Sequence, residues 1–141
     1  MEINFFTESI SFEVENQALV KEWIDKVCED RNFKVGDVNF IFTDDATLLQ
    51  INNKYLQKDY FTDIITFDNT QANEINGDIY ISIDRVKENA ERYSRTFLDE
   101  LHRVIIHGIL HLTGINDYSE TEKKMMRELE DKYLSLLADL N

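Results

Sequence analysis

Two histidines, His107 and His111, lie four positions apart in the segment VIIHGILHL. In an α-helix this spacing places both imidazoles on one face, one turn apart. The flanking residues are apolar, and a buried imidazole without a hydrogen-bond partner costs on the order of 1–3 kcal/mol. A divalent cation satisfies both rings directly, because zinc binds neutral imidazole nitrogens at about 2.0–2.1 Å. The pair therefore predicts a metal site on a buried helix.

A carboxylate downstream of the pair supplies a third candidate ligand. Gly114 lets the chain turn back after the helix, and Asp117 then returns toward the histidines in the spacing H-x3-H-x2-G-x2-D. We therefore predict one zinc ion per chain, bound by His107, His111 and Asp117. The same ligand set also suits iron or manganese. The alternative is that these side chains are core and loop residues whose hydrogen bonds go to the backbone.

At its ligand positions the spacing matches the metzincin protease pattern H-E-x-x-H-x-x-G-x-x-H. Asp117 replaces the last histidine of that pattern, and Gly108 replaces the glutamate. Because the glutamate is the general base of such proteases, a protease mechanism lacks its proton acceptor here. An iron oxygenase is another alternative for this ligand set, but the helical histidine spacing gives it little support.

Three further polar residues lie on the same predicted helix. His102 precedes His107 by five residues, about 140° around the helix, so we do not expect it to be a ligand. Arg103 and Glu100 share the His107 face, four and seven residues upstream. Arg103 is thus a candidate for substrate contact. The alternative is that Arg103 and Glu100 form a solvated ion pair.

The hydrophobic pattern predicts the elements that hold this helix in place. Residues 97–112 have a helical period but are apolar almost all round, which is typical of a helix buried through the centre of a domain. Alternation or β-prone composition predicts strands at residues 3–7, 10–14, 38–42, 62–67 and 79–83, the first two joined by a turn at Glu8 and Ser9.

Apolar stripes at three-to-four-residue spacing predict four further helices. The second of these should turn Tyr55 toward the core. The first of these helices begins after Asn16 and ends near Asp30, and the second begins near Asp45. The third begins after Asp84, and the last begins at a capping box formed by Ser119 and Glu122.

Composition predicts one soluble domain. The chain has 141 residues, no proline and a single cysteine, Cys28, which we interpret as a small buried hydrophobe. No linker or composition break appears, so we expect a single α+β domain over residues 1–141, with a small sheet packed with helices around the histidine-bearing helix. No apolar run approaches the roughly 18 residues of a membrane helix. We therefore expect a cytoplasmic protein.

The charge balance argues against a nucleic-acid partner when it is taken alone. Fifteen basic and 28 acidic residues give a net charge of −13 at neutral pH, and a net anion repels phosphate backbones at long range. Because the Debye length is about 8 Å at physiological salt, the charges that line the site affect RNA binding more than the net charge of the chain does.

Three segments together resemble the YbeY family of metal-dependent endoribonucleases. Residues 107–117 (HGILHLTGIND) resemble the family signature H-G-x-L-H-L-x-G-Y-D-H. Residues 62–67 (TDIITF) are similar to its T-D-V-L-S-F, and residues 77–82 (GDIYIS) to its G-D-I-x-I-S. The resemblance implies a zincin-like α+β fold with a mixed sheet and zinc-dependent cleavage of single-stranded RNA. It further implies a role in 3′-end maturation of small-subunit ribosomal RNA and in ribosome quality control, with the small subunit as partner.

The chain departs from the family pattern at two positions. Asp117 stands where the family has its third histidine, and Leu56 follows Tyr55 where the family usually has an arginine. The second change removes an expected phosphate contact. Lys54 and Lys58 flank the position and are candidates for RNA contact, but as point charges without the bidentate fork of arginine.

The residues that assist hydrolysis are less clearly marked. Asp63 and Thr62 are the first candidates, beside the predicted ion; the alternative is that they only begin a strand. A different class of function is a non-catalytic ribosome-assembly factor with a structural metal. Structural zinc sites usually have four protein ligands, and only three are evident here, which favours an open catalytic position.

Overall fold

A four-stranded mixed sheet forms the centre of the fold. The structure is a computed structural model and describes residues 2–141. The strand order is β1-β2-β4-β3, with β1, β2 and β4 parallel and β3 antiparallel at one edge. The strands span Glu2–Thr7 (β1), Lys34–Thr43 (β2), Ile64–Asp68 (β3) and Glu74–Ser82 (β4).

Five helices complete the predicted α+β fold. Side-chain caps begin four of them, and the capping box of Ser119 and Glu122 at the last is confirmed. Over residues 2–141, no helix combines the length and apolar character needed to span a bilayer. The helices span Gln17–Asp30 (α1), Asp45–Leu56 (α2), Ile83–Arg92 (α3), Phe97–Leu112 (α4) and Glu120–Leu140 (α5).

Helix α4 is the buried helix that the sequence predicts. It contacts β3, β4, α3 and α5, and its apolar side chains belong to the main core. Gly108 permits close contact with the sheet, because a Cβ atom there would lie 3.0 Å from both Ile64 Cδ1 and Ile79 Cγ2. The histidine pair is therefore carried by the helix with the most buried residues among those of residues 2–141.

The predicted N-terminal hairpin is wrong. Residues 10–14 form no strand, and β1 instead pairs in parallel with β2, with Ile3 opposite Val38. Val14 is buried and Ile10 and Phe12 pack against the core. The alternation at residues 10–14 therefore indicates only which side chains face inward, and the backbone of this segment is irregular. It carries no information about hydrogen-bond partners.

The face of α2 also differs from the prediction. Tyr55 is 58% exposed instead of facing the core, whereas Asn52 is 2% exposed. Asn52 is satisfied in the interior because its side-chain amide donates to the Tyr60 carbonyl at 3.0 Å. Apolarity alone could not have revealed this buried polar contact.

Two predicted caps act differently from expectation. Asn16 lies at the start of α1, but its side chain makes no capping hydrogen bond. Helix α3 is capped by Ser82, while Asp84 accepts from the backbone nitrogen of Asp45 and joins α3 to α2. Strand β4 also begins at Glu74, five residues before the predicted start at residue 79, and it includes Gly77.

Burial should protect the single thiol from reaction. Cys28 has no exposed surface, and burial, with a smaller contribution from Asp25, raises the pKa of its thiol to about 12. We expect no labelling by a thiol reagent in the native protein at pH 8, and one thiol per chain in denaturant. Labelling at similar rates in both conditions would contradict this packing.

Candidate metal centre

Three side chains converge at the C-terminal end of α4. The His107 and His111 Nε2 atoms lie 3.0 Å apart, and the Asp117 carboxylate oxygens lie 3.3 and 3.5 Å from them respectively. Donors about 2.0–2.1 Å from a tetrahedral zinc ion are separated by roughly 3.3–3.4 Å. Gly114 has φ +91°, the backbone reversal that returns Asp117 to the histidines. The three donors therefore fit one divalent cation.

Glu130 fixes the orientation of the first histidine. Its Oε2 lies 2.6 Å from His107 Nδ1, and its side chain is almost fully buried. The His107 Nδ1–H donates to this carboxylate, which leaves the Nε2 lone pair for a metal. The first ring is thus set in place from outside the site.

The charges around the two imidazoles favour protonation of one ring over the other. Burial acts to lower the pKa of His107, but the hydrogen bond and charge of Glu130, aided by Asp117 and Asp63, raise it overall. Burial and the charge on His107 lower the pKa of His111. Without a metal, a proton is thus bound by His107 in preference to His111. The same carboxylates, Glu130, Asp117 and Asp63, would also stabilise a divalent cation between the rings.

The predicted catalytic candidates share a cleft with the metal donors. This cleft has a volume of about 600 Å³ and is lined by His107, His111, Asp117, Asp63 and Thr62, among others. Burial raises the pKa of Asp63 despite the opposing charge of His107. The Thr62 hydroxyl donates to the Ile64 carbonyl at 3.3 Å, so it also helps to order the start of β3.

The predicted RNA contacts lie in three different environments. Lys58 lines the cleft, whereas Lys54 is not among its lining residues. The Lys54 Nζ lies 5.1 Å from the Tyr55 ring centroid. Arg103 lines the cleft, but it donates to Glu130 at 3.0 Å and to Asp131 at 2.7 Å. Its guanidinium fork is therefore engaged by α5.

The remaining polar residues of α4 are partnered elsewhere. Glu100 is buried and pairs with Arg95 at 2.9 Å, so the alternative pair with Arg103 does not form. His102 lies edge-on to Trp23, with ring centroids 5.8 Å apart. Within residues 2–141, the one group of three candidate metal ligands is His107, His111 and Asp117.

The structure explains why glutamate is absent at position 108. Any side chain there meets Ile64 and Ile79 of the sheet. A metzincin-type glutamate at position 108 would have to displace these side chains, so the protease alternative is disfavoured sterically as well as chemically.

Sequence reasoning missed Glu130. It lies in a charged stretch of α5, which reads as a solvated surface. A usable signal was nevertheless present, because Glu130 follows Met126 by four residues and precedes Tyr133 by three, on the buried stripe. A carboxylate at such a position requires a buried partner.

Comparison with known proteins decides the family. The family model described as Endoribonuclease YbeY matches residues 2–138. The chain belongs to the YbeY family. The resemblance carried by the three sequence motifs is thereby confirmed.

Individual YbeY relatives match over nearly the whole chain. A Parabacteroides distasonis protein named Endoribonuclease YbeY is 45% identical over 139 residues, covering 99% of this chain and 98% of that protein. One of the same name from Cytophaga hutchinsonii is 47% identical over 135 residues, covering 95% and 94%. A solution structure from Thermotoga maritima matches with a TM-score of 0.68 and 28% identity, covering 96% and 89%.

Removal of the Glu130 charge should weaken metal binding without unfolding the protein. In Glu130→Gln the neutral amide oxygen holds the His107 Nδ1–H more weakly than the carboxylate does, and disruption of such a partner typically costs about 10–100-fold in metal affinity. Zinc affinity is measured by competition with a chromophoric chelator, and folding by circular dichroism. Glu128→Gln, at an exposed position of the same helix, is the matched control. Equal zinc affinity in both variants would contradict the role of Glu130.

Proposed function

We propose that the protein is a metal-dependent endoribonuclease that hydrolyses single-stranded RNA, with one zinc ion per chain held by His107, His111 and Asp117. The observation that carries this proposal is the approach of three side chains in an accessible cleft: the two imidazole Nε2 atoms lie 3.0 Å apart, and the two Asp117 carboxylate oxygens lie 3.3 and 3.5 Å from them. Three protein ligands leave a coordination position for water or substrate, as in catalytic zinc sites. The relatives named endoribonucleases support RNA as substrate.

The side chains around this site have separable tasks. A bound divalent ion supplies Lewis acidity, which activates water and polarises a phosphoryl oxygen. Glu130 keeps the His107 Nδ1 protonated and its Nε2 available. We assign Asp63, with Thr62 beside it, to hold the attacking water and accept its proton, because Asp63 lies in the same cleft and within the field of His107.

The cellular role proposed is 3′-end maturation of small-subunit ribosomal RNA and ribosome quality control in the cytoplasm. Support for it comes from membership of the family and from the three motifs that carry the resemblance. The small ribosomal subunit is the corresponding partner.

Metal-dependent RNA cleavage is the decisive test. We expect zinc-loaded protein to cleave single-stranded RNA, and we expect both chelator and His107→Ala to abolish cleavage. Restoration of activity by added zinc in wild type alone separates metal loss from unfolding. Cleavage that survives chelator and His107→Ala would overturn the mechanism. Ribosome binding without any cleavage, together with a fourth protein ligand on the ion, would favour the assembly factor with a structural metal.

Substitution of Asp63 should affect turnover more than metal binding. We expect Asp63→Asn to lower kcat by about 100-fold or more, as for loss of a general base, with zinc content and KM nearly unchanged. Asp68→Asn, at another carboxylate of the same cleft, is the control. If kcat is unchanged in Asp63→Asn, the carboxylate takes no part in proton transfer.

A further inference from the structure

Two exposed aromatic side chains from different connections line the metal cleft. Tyr60 and Tyr118 both line it and are 55% and 82% exposed, and Leu56 beside them is 42% exposed. The rings come from two different connections, α2–β3 and α4–α5. Large exposed apolar groups at a cleft mark an interaction site. Nothing in the proposed hydrolysis uses these rings.

The backbone that carries these two rings is held firmly. The Tyr60 carbonyl accepts a hydrogen bond from the buried side chain of Asn52 at 3.0 Å. Tyr118 lies between the metal donor Asp117 and Ser119, whose side chain caps α5. The ring positions are therefore set by fixed main chain while the ring surfaces remain open to solvent. Such an arrangement lowers the entropy cost of stacking a ligand against them.

The charges in the cleft are poorly suited to gripping phosphates. Arg103 is engaged by Glu130 and Asp131. Over residues 2–141, Lys58 is the one Lys or Arg of the cleft without an ion-pair partner, and it shares the cleft with several carboxylates. A ligand that enters must gain most of its affinity from other groups. Base–aromatic stacking is such a source, and it acts on unpaired strands because their base faces are accessible.

We propose that Tyr60 and Tyr118 form a base-stacking subsite that binds two unpaired bases of single-stranded RNA beside the metal centre. This inference rests on the proposed function, since it takes RNA as the substrate of the same cleft. Stacking at this subsite supplies affinity that is otherwise missing because Leu56, unlike the family arginine, makes no phosphate contact. Selectivity for single strands follows, because paired bases in a duplex cannot reach the rings.

Base dependence of binding is the test. An eight-nucleotide single-stranded RNA is compared with an abasic strand of equal length and phosphate number by rapid filter binding to zinc-loaded protein. We expect the base-containing strand to bind at least 10-fold more tightly. Tyr60→Ala and Tyr118→Ala should each lose roughly 5- to 100-fold in affinity and raise KM, whereas Tyr60→Phe and Tyr118→Phe should retain it. Zinc content is measured for each variant.

The control is Tyr93→Ala, which removes another exposed ring, at the end of α3, and should bind as wild type does. With Lys58 and Lys54 as the available cations, log affinity should fall with log salt at a slope of about −1.4 or shallower. Equal binding of the abasic strand, or unchanged affinity in both Ala variants, would overturn the subsite. Concentration-dependent dimerisation that is lost in the Ala variants would assign the rings to self-association instead.

These outcomes are distinguishable from failure of the proposed function. Stacking-dependent binding without cleavage would leave the subsite intact and remove the hydrolase. Cleavage with unchanged KM in the Ala variants would leave the hydrolase intact and remove the subsite.

Discussion

One buried carboxylate ties the metal centre to the rest of the fold. Glu130 accepts from His107 on one oxygen and from Arg103 on the other. A buried charge is tolerated only when it is paired and hydrogen-bonded. Both of its partners lie on α4, so the contacts that hold α5 against α4 also orient His107, the first candidate metal ligand. The core of the domain therefore positions His107, whereas Asp117 comes from the connection between α4 and α5.

Electrostatics sets what the cleft can accept. With a net charge of −13, the molecule attracts small cations and repels a polyanion at long range. The carboxylates that favour a divalent cation are the same groups that disfavour phosphates. An RNA substrate, as proposed, would have to overcome this repulsion at short range without the motif arginine. A divalent cation at the candidate site would offset part of it, and contacts that do not depend on charge would supply the remainder.

The sequence correctly predicted those elements in which the hydrophobic periodicity matches the burial of the side chains. Helix α4 has the predicted bounds, because apolar residues all round leave no other environment for it. The convergence of His107, His111 and Asp117 likewise follows from spacing and one glycine turn. Strand pairing could not be predicted, because alternation at residues 10–14 shows only which way side chains point. Partners such as Asn52 with Tyr60, or Glu130 with His107, depend on tertiary geometry.

The hydrogen bond between Trp23 of α1 and Tyr133 of α5 affects the fluorescence of the protein. Trp23, the only tryptophan, is fully buried, and its indole N–H donates to the Tyr133 carbonyl at 2.7 Å. Tyr133 stands one helical turn beyond Glu130, so the indole senses the same stretch of α5 that orients the first metal ligand. The fluorescence emission of Trp23 therefore reports on this contact: a blue-shifted spectrum indicates that α5 is packed against α1.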